Sequence, residues 1–272
     1  MIAVNLPHRL VYGGTSCGLV RLENEDRFTF AFYQISLHNP TPVLLAIVAD
    51  GVGGQNAGEK AASLVVDLIP DYLEKFEPGD TLRGLESAFI EANYEILRQA
   101  ELIPAYAGMA CTCAAVLVVG NQLFIANVGD SRIYWWRQGI LKQISRDHTR
   151  ETESSHTGFE NPAENERKKP RSHVITRYLG SEFPPKVDLG LYLDGDEKPQ
   201  TAFFHQGMEL GKDDLILICS DGLTDILTDE EIEIIIKTYP AQQLVENLTD
   251  AALKKGGEDN ITLVIIGRSV SG

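Results

Sequence analysis

Apolar runs of strand length meet acidic residues at five places in the chain. The run "PVLLAIVA" leads directly into Asp50, and glycines follow at positions 51, 53 and 54. The other four places are Glu25-Asp26 before "RFTFAFYQI", Asp130 after "LFIANVG", Asp221 after "LILICS", and Asp259 before "NITLVII". One Asp at a strand end is ordinary turn chemistry, but five are poorly explained as independent turns. If these strand ends converge, they form a negatively charged pocket, which predicts a metal site.

Composition limits the kind of protein this can be. The chain has 272 residues, 43% of them hydrophobic, so it can form one large domain or two small ones with a sizeable core. The net charge of −15 argues against a nucleic-acid partner, which needs a basic surface. No apolar run approaches the roughly 20 residues of a membrane helix, and the opening residues lack the features of a signal peptide. These patterns predict a cytoplasmic protein without a membrane partner.

The cysteines fit the same compartment. Cys17, Cys111, Cys113 and Cys219 contain no pair with the CxxC spacing of a zinc site. We interpret them as reduced and buried thiols. A redox role for Cys111 and Cys113, which would share one face of a strand, stays open as an alternative.

Hydrophobic periodicity predicts an α+β fold. Helical spacing is found at 57–76, 81–100, 229–238 and 241–254, with Thr228 as an N-cap and Glu231 three residues later. Strand patterns occur in consecutive groups between pairs of helices, which favours antiparallel sheets with helices packed outside. The region 186–209 alternates on both sides of Asp194-Gly195-Asp196, which predicts a long hairpin. Residues 149–173 are almost entirely polar and predict a functional or disordered insertion.

The glycine-rich stretch "GVGGQNAGEKA" permits two interpretations. It lies between a strand and a helix, as a phosphate-binding loop does, but Glu59 stands where that loop needs a lysine and Ala61 replaces its hydroxyl residue. An acidic residue would repel the phosphates, so a nucleotide-binding loop is disfavoured. The alternative is that the Gly51 carbonyl approaches a cation that Asp50 also binds. Magnesium and manganese prefer this mixture of carboxylate, carbonyl and water ligands.

The ordered motifs "RLENEDRF", "VADGVGG", "GMACT", "NVGDSRIY", "ISRDHT", "VITRYLG", "LICSDGLTD" and "GGEDNITLV" extend from residue 21 to 264. Together they resemble the PPM family, the protein phosphatase 2C-like metal-dependent Ser/Thr protein phosphatases, in its compact bacterial form. The resemblance implies a four-layer α-β-β-α sandwich, with two central antiparallel sheets flanked by helices. It also implies a single phosphatase domain over 1–272, with a polar flap segment at about 149–173 beside the active site.

The resemblance further implies a centre of two Mn²⁺ or Mg²⁺ ions that share a bridging hydroxide. The implied direct ligands are Asp50, which would bridge both ions, the Gly51 carbonyl, Asp221 and Asp259. Glu25 and Asp26 would hold metal-bound waters, Arg21 would bind substrate phosphate, and Asp130 and Asp225 match positions of a third, weaker metal. Val52 stands where some members carry a histidine proposed as general acid, so no residue is assigned that role.

The implied function is hydrolysis of phosphoserine and phosphothreonine in proteins, acting as a monomer on targets of a Ser/Thr kinase. The alternative is a pseudophosphatase that serves as a regulatory binding module, but its signature would be the loss of a core carboxylate, and all are present. Arg21 taken alone would be a surface salt-bridge residue, and His148 in "RDHT" is interpreted as structural.

Overall fold

The computed structural model describes residues 1–4, 9–52, 57–75, 80–152 and 174–269. Its strands are β1 (Ile2–Ala3), β2 (Arg9–Ser16), β3 (Arg27–Gln34), β4 (Pro42–Ala49), β5 (Gly51–Val52), β6 (Ala110–Cys111), β7 (Cys113–Val119), β8 (Gln122–Val128), β9 (Arg132–Arg137), β10 (Ile140–Gln143), β11 (Met208–Glu209), β12 (Leu215–Cys219) and β13 (Ile261–Ser269). Its helices are α1 (Ala57–Lys75), α2 (Thr81–Leu102), α3 (Pro199–Phe203), α4 (Asp221–Thr224), α5 (Asp229–Thr238) and α6 (Ala241–Lys254), with a 3₁₀ turn at Pro104–Tyr106.

Two antiparallel sheets form the centre of the fold. The first has the strand order β1-β3-β4-β7-β8-β11 and the second β10-β9-β12-β13-β2. A separate two-stranded ladder joins β5 to β6. The antiparallel pairing and the helices confirm the predicted α+β class.

Alternation along β4 shows how the layers are stacked. Its odd-numbered side chains Val43, Leu45 and Ile47 pack with α1 and α2, in one apolar core. Its even-numbered side chains Leu44, Ala46 and Val48 pack against β9, β12 and β13 of the other sheet. Because both faces are buried, the strand is apolar at every position, as the sequence of a doubly covered strand must be.

A third core completes the four layers. The outer face of the second sheet packs on α5 and α6 through Leu217, Leu263, Ile232 and Leu248. Two helices begin at side-chain caps: Thr228 and Glu231 form the predicted capping box at α5, and the Asp80 side chain accepts the Arg83 N–H at α2. This arrangement is the predicted α-β-β-α sandwich.

The predicted hairpin over 186–209 is wrong. The turn at Asp194 is present, but residues 186–193 make only an isolated bridge between Asp188 and Asn127. Pro199 lies in the first turn of α3, where its fixed φ and missing N–H favour a helix start. The alternating apolar side chains therefore cover the edge of the sandwich from irregular backbone, and Leu191 and Tyr192 are buried there without a strand partner.

The structure also bears on the predictions about the cysteines and about membrane helices. All four cysteines are free thiols, with Cys111, Cys113 and Cys219 buried and Cys17 half-buried. Among the helices of the described ranges, none combines the length and apolarity that a membrane crossing needs.

Candidate active site

Strand register brings the acidic residues of the first sheet together. Arg27 pairs with Ala49, so Asp26 and Asp50 extend from adjacent strand ends. The neighbouring strands β7 and β8 begin and end at the same level, since Val48 pairs with Ala114 and Cys113 with Val128. The chain then turns through Gly129 and Asp130 into the second sheet.

The second sheet contributes its acidic residues at the same end of the sandwich. Cys219, the last residue of β12, pairs with Leu263 of β13 and with Arg132 at the start of β9. Asp221 follows β12, and Asp259 precedes β13. The structure thus brings together all five acidic places that the sequence singled out.

The shared location changes the ionisation of these groups. Burial raises the pKa of Asp26 to about 7, and the nearby Asp221 and Asp259 add to the effect, although Ser220 and Thr262 donate hydrogen bonds that oppose it. Burial, followed by repulsion from Asp221, also raises the pKa of Asp130 to about 7. The site therefore has more negative charge than its own surroundings neutralise.

Asp50 is the most strongly affected residue of the cluster. Burial raises its pKa well above the usual range, and repulsion from Asp26, Asp221 and Asp130 raises it further. Its carboxyl is also in hydrogen-bond contact with that of Asp221. Two carboxyl groups in such contact need a proton or a cation between them.

Two carboxylate oxygens give an independent sign of a missing partner. Asp26 Oδ1 and Asp130 Oδ1 are buried and accept no hydrogen bond in the structure. Buried polar atoms normally have a partner, so each such atom calls for an explanation such as an ion or ordered water. The all-oxygen donor set fits hard divalent cations such as Mg²⁺ and Mn²⁺.

The carboxylates converge without enclosing an ion by themselves. In the described part of the chain, no three His, Cys, Asp or Glu side chains are arranged to hold a metal ion. Asp259 accounts for part of this, because its Oδ2 accepts a hydrogen bond from Arg21 Nη2 at 2.6 Å.

Thr112 fixes the backbone of Asp50. The Asp50 N–H donates to Thr112 Oγ1 at 3.2 Å, and the Thr112 N–H donates to the Asp50 carbonyl at 2.8 Å. The Thr112 hydroxyl also bonds Ser131 at 2.7 Å. Because β4 and β7 are locked at this point, Asp50 projects from a rigid strand end rather than a loose loop.

The glycine at position 51 has a packing reason. A Cβ added to Gly51 would lie 2.4 Å from the Gly58 carbonyl carbon and 2.7 Å from the Glu25 carbonyl oxygen. The backbone of α1 therefore contacts the strand that follows Asp50, which only paired glycines permit. Glu59, which argued against a phosphate loop, forms an ion pair with Arg27.

Glu25 lies at the start of α1. Its carboxylate accepts the backbone N–H groups of Glu59 and Gly58, two donors that lack partners within the helix. Burial raises its pKa and these hydrogen bonds oppose the shift. Glu25 thus caps α1 and directly precedes Asp26 in the chain.

Sequence reasoning missed the residues that hold the acidic groups in place. The Ser220 hydroxyl donates to Asp26 Oδ2 at 2.7 Å. The Asn260 side chain accepts the Glu25 N–H at 2.8 Å and donates to the Glu23 carbonyl at 2.9 Å and the Cys17 carbonyl at 3.1 Å. Both residues adjoin proposed ligands, in "SDG" and "EDN", and that adjacency was the available signal.

The two acidic residues proposed for a third metal, Asp130 and Asp225, line a cavity of about 780 Å³. Asp130 and Asp221 border it, and Asp225 lies exposed at the end of α4 on the same wall. The predicted flap begins there, since Thr149 and Thr152 also line the cavity. Most of that segment, residues 153–173, lies outside the described residues.

A larger cavity of about 910 Å³ is lined by none of the predicted metal-site carboxylates. His148 lies in its wall and is buried. Its Nδ1 accepts the Gly129 N–H at 3.0 Å, so the ring proton is on Nε2, which faces Asp188 at 3.3 Å. The ring therefore links the turn at Gly129 to the irregular segment at Asp188, which is a structural role.

Comparison with known proteins assigns the family. A family model described as "Protein phosphatase 2C" matches residues 14–261. The chain belongs to the protein phosphatase 2C family.

Individual relatives agree with that assignment. The serine/threonine phosphatase stp of Listeria monocytogenes is 31% identical over 265 residues, covering 94% of this chain and 95% of that protein. The serine/threonine protein phosphatase PstP of Mycobacterium tuberculosis is 32% identical over 91% of this chain, which spans only 43% of the PstP length. The solved catalytic domain of PstP in complex with two manganese ions aligns with a TM-score of 0.73 at 31% identity, covering 96% of this chain and 98% of that domain.

Proposed function

We propose that this chain is a metal-dependent protein phosphatase that hydrolyses phosphoserine and phosphothreonine. The observation that carries the proposal is the convergence of five acidic places at one end of the sandwich, with two buried carboxylate oxygens left without partners. A phosphate monoester carries close to two negative charges at neutral pH. The acidic end attracts such a substrate only when cations have over-neutralised it.

Two Mn²⁺ or Mg²⁺ ions fit the residues present. Asp50, the Gly51 carbonyl, Asp221 and Asp259 would hold them directly, Glu25 and Asp26 would do so through waters, and Asp130 with Asp225 would hold a third. Bound there, the ions supply positive charge for the phosphate and an activated water as nucleophile. The two manganese ions of the PstP catalytic domain support this number.

The two partners proposed for Arg21 are Asp259 and the substrate phosphate. Its guanidinium is paired with Asp259, and its side chain remains 54% exposed. If Asp259 held a cation instead, this pairing would be lost and Arg21 would remain beside the site. Its planar fork of N–H donors then suits two oxygens of a phosphate.

We further propose that the chain acts as one domain, a cytoplasmic monomer whose substrates are targets of a Ser/Thr kinase. The names of the relatives support the substrate class. The free thiols support a reducing compartment.

The direct test is phosphate release with and without metal. We expect hydrolysis of a phosphothreonine peptide and of p-nitrophenyl phosphate with Mn²⁺, and none with EDTA. Binding of the peptide without turnover in saturating Mn²⁺ would instead support the regulatory binding module. Hydrolysis that continues in EDTA would contradict the proposal.

A further inference from the structure

Three exposed aliphatic side chains lie on the loop that carries Arg21. Leu19, Val20 and Leu22 are 67%, 64% and 98% exposed. A single exposed aliphatic residue needs no explanation. Three within four positions of one short loop form a patch, which we call the apolar rim.

The loop is held in place, so this exposure is not the result of a poorly packed segment. The Leu19 N–H donates to the Gly257 carbonyl at 2.7 Å. Asn260 bonds the Cys17 carbonyl on one side of the rim and the Glu23 carbonyl on the other. These hydrogen bonds thus hold the loop in a conformation that exposes its apolar side chains to solvent.

The rim lies beside the residue proposed to bind substrate phosphate. Val20 and Leu22 are the immediate chain neighbours of Arg21, which reaches Asp259 at 2.6 Å. A phosphorylated side chain at this site belongs to a peptide whose next residues lie about 3.3 Å further along an extended chain. Residues that flank the phosphorylated one are therefore close enough to reach the rim, whereas a small aryl phosphate is not.

We propose that the apolar rim binds apolar side chains that flank the phosphoserine or phosphothreonine of a protein substrate. This inference rests on the proposed phosphatase function and adds a sequence preference to it. Arg21 and the cations recognise the phosphate, which every substrate shares. The rim distinguishes between substrates by the residues that flank the phosphorylated residue.

The test compares three phosphothreonine peptides of equal length and charge: leucines before the phosphoresidue, leucines after it, or serines on both sides. We expect wild-type protein with Mn²⁺ to show a KM roughly tenfold lower for at least one leucine peptide than for the serine peptide, since burying a leucine favours binding by that order. The variant Val20→Thr/Leu22→Gln should lose most of that preference. Val→Thr keeps the side-chain shape, and Leu22 has almost no contacts to lose.

A matched control is available in Leu37→Gln. Leu37 is 77% exposed and lies in the β3–β4 turn, at the other end of β4 and roughly 25 Å from Asp50. It should keep the wild-type preference, and both variants should hydrolyse p-nitrophenyl phosphate at the wild-type rate. Equal loss of preference in Leu37→Gln, or equal loss of aryl phosphate hydrolysis in the double variant, would overturn the role of the rim.

Two further outcomes separate the possible failures. One KM for all three wild-type peptides contradicts the rim while leaving the phosphatase function intact, and no hydrolysis of any substrate contradicts both. If sedimentation shows a wild-type dimer that the double variant dissociates, a second copy occupies the rim and the proposal is wrong.

Discussion

The aspartates near the two ends of strand β12 lie in opposite environments. Asp214 precedes the strand and is 5% exposed. Its carboxylate accepts hydrogen bonds from Arg137, from the Trp135 indole and from the Gly211 N–H. At the other end, beyond Cys219, lie the buried Asp26 and Asp130, each with an unpartnered oxygen.

The contrast separates an acid that the protein itself neutralises from the acids proposed to bind metal. Burial opposes ionisation at both ends, but the hydrogen bonds of Arg137, Gly211 and Trp135 hold the pKa of Asp214 below its usual range. Burial raises the pKa values of Asp26 and Asp130 to about 7, because neutral hydrogen-bond donors and neighbouring carboxylates, without a paired cation, surround them there. The protein neutralises Asp214 with its own Arg137, whereas we propose that cations from solution neutralise the other end.

Replacing one acid at each end should give opposite results, and Asp50→Asn has the larger effect. This variant should lose nearly all Mn²⁺-dependent hydrolysis of p-nitrophenyl phosphate, because it removes the carboxylate proposed to bridge both ions. Without metal it should unfold at or above the wild-type temperature, since it relieves repulsion with Asp26 and Asp221. Wild-type activity in Asp50→Asn would refute the site.

Asp214→Asn should lose stability and keep activity. Breaking a buried charge pair costs about 3 kcal/mol or more, and the partial exposure of Arg137 reduces this to about 2 kcal/mol. Urea denaturation in EDTA measures the loss, and kcat with saturating Mn²⁺ should remain that of the wild type. A variant that is fully stable but inactive would show that Asp214 belongs to the functional group.

Arg21→Ala sharpens the comparison within the acidic end. Loss of a charged contact with phosphate should raise KM roughly ten- to a hundredfold. The Mn²⁺ concentration for half-maximal activity should not increase, because Arg21 competes with the cation for Asp259. The control is Arg98→Ala, which removes an exposed arginine paired with Glu95 on α2. An unchanged KM in Arg21→Ala would contradict its phosphate role.

The two ends should also respond to pH with opposite signs. In EDTA, the raised pKa values of Asp26 and Asp130 mean that the folded state holds extra protons, so stability should fall as pH rises from about 4 to about 7. Asp214, with its lowered pKa, contributes stability that is lost as pH falls through about 4 and below. Thermal denaturation of wild type and Asp130→Asn checks this: the variant should show a shallower fall, and a wild-type stability that rises over this window would be the contrary result.

Sequence patterns predicted the parts of the fold that depend on local periodicity. The run 42–49 became β4, and 229–238 and 241–254 became α5 and α6 with the same bounds. The pattern at 186–209 failed, because alternating side chains that cover a sheet edge resemble a strand. Periodicity records burial, and it does not record whether a neighbouring strand is present to pair with.

The candidate site could be predicted only in part for a similar reason. Strand ends that carry carboxylates are visible in the sequence, so the acidic cluster was foreseen. The contacts of Asn260 with residues 17–25 join segments over 230 positions apart, and no local pattern records such a pairing. The ion pair between Arg21 and Asp259 was hidden in the same way.

Manganese titration by calorimetry tests the central claim most directly. Wild type and Asp214→Asn should each bind two Mn²⁺ ions tightly and with the same affinity, apart from the weaker third ion, because Asp214 is already neutralised by Arg137. Asp50→Asn should lose at least one of the two. Two ions bound by Asp50→Asn at wild-type affinity, or loss of metal in Asp214→Asn, would contradict the assignment of the acidic end as the metal centre.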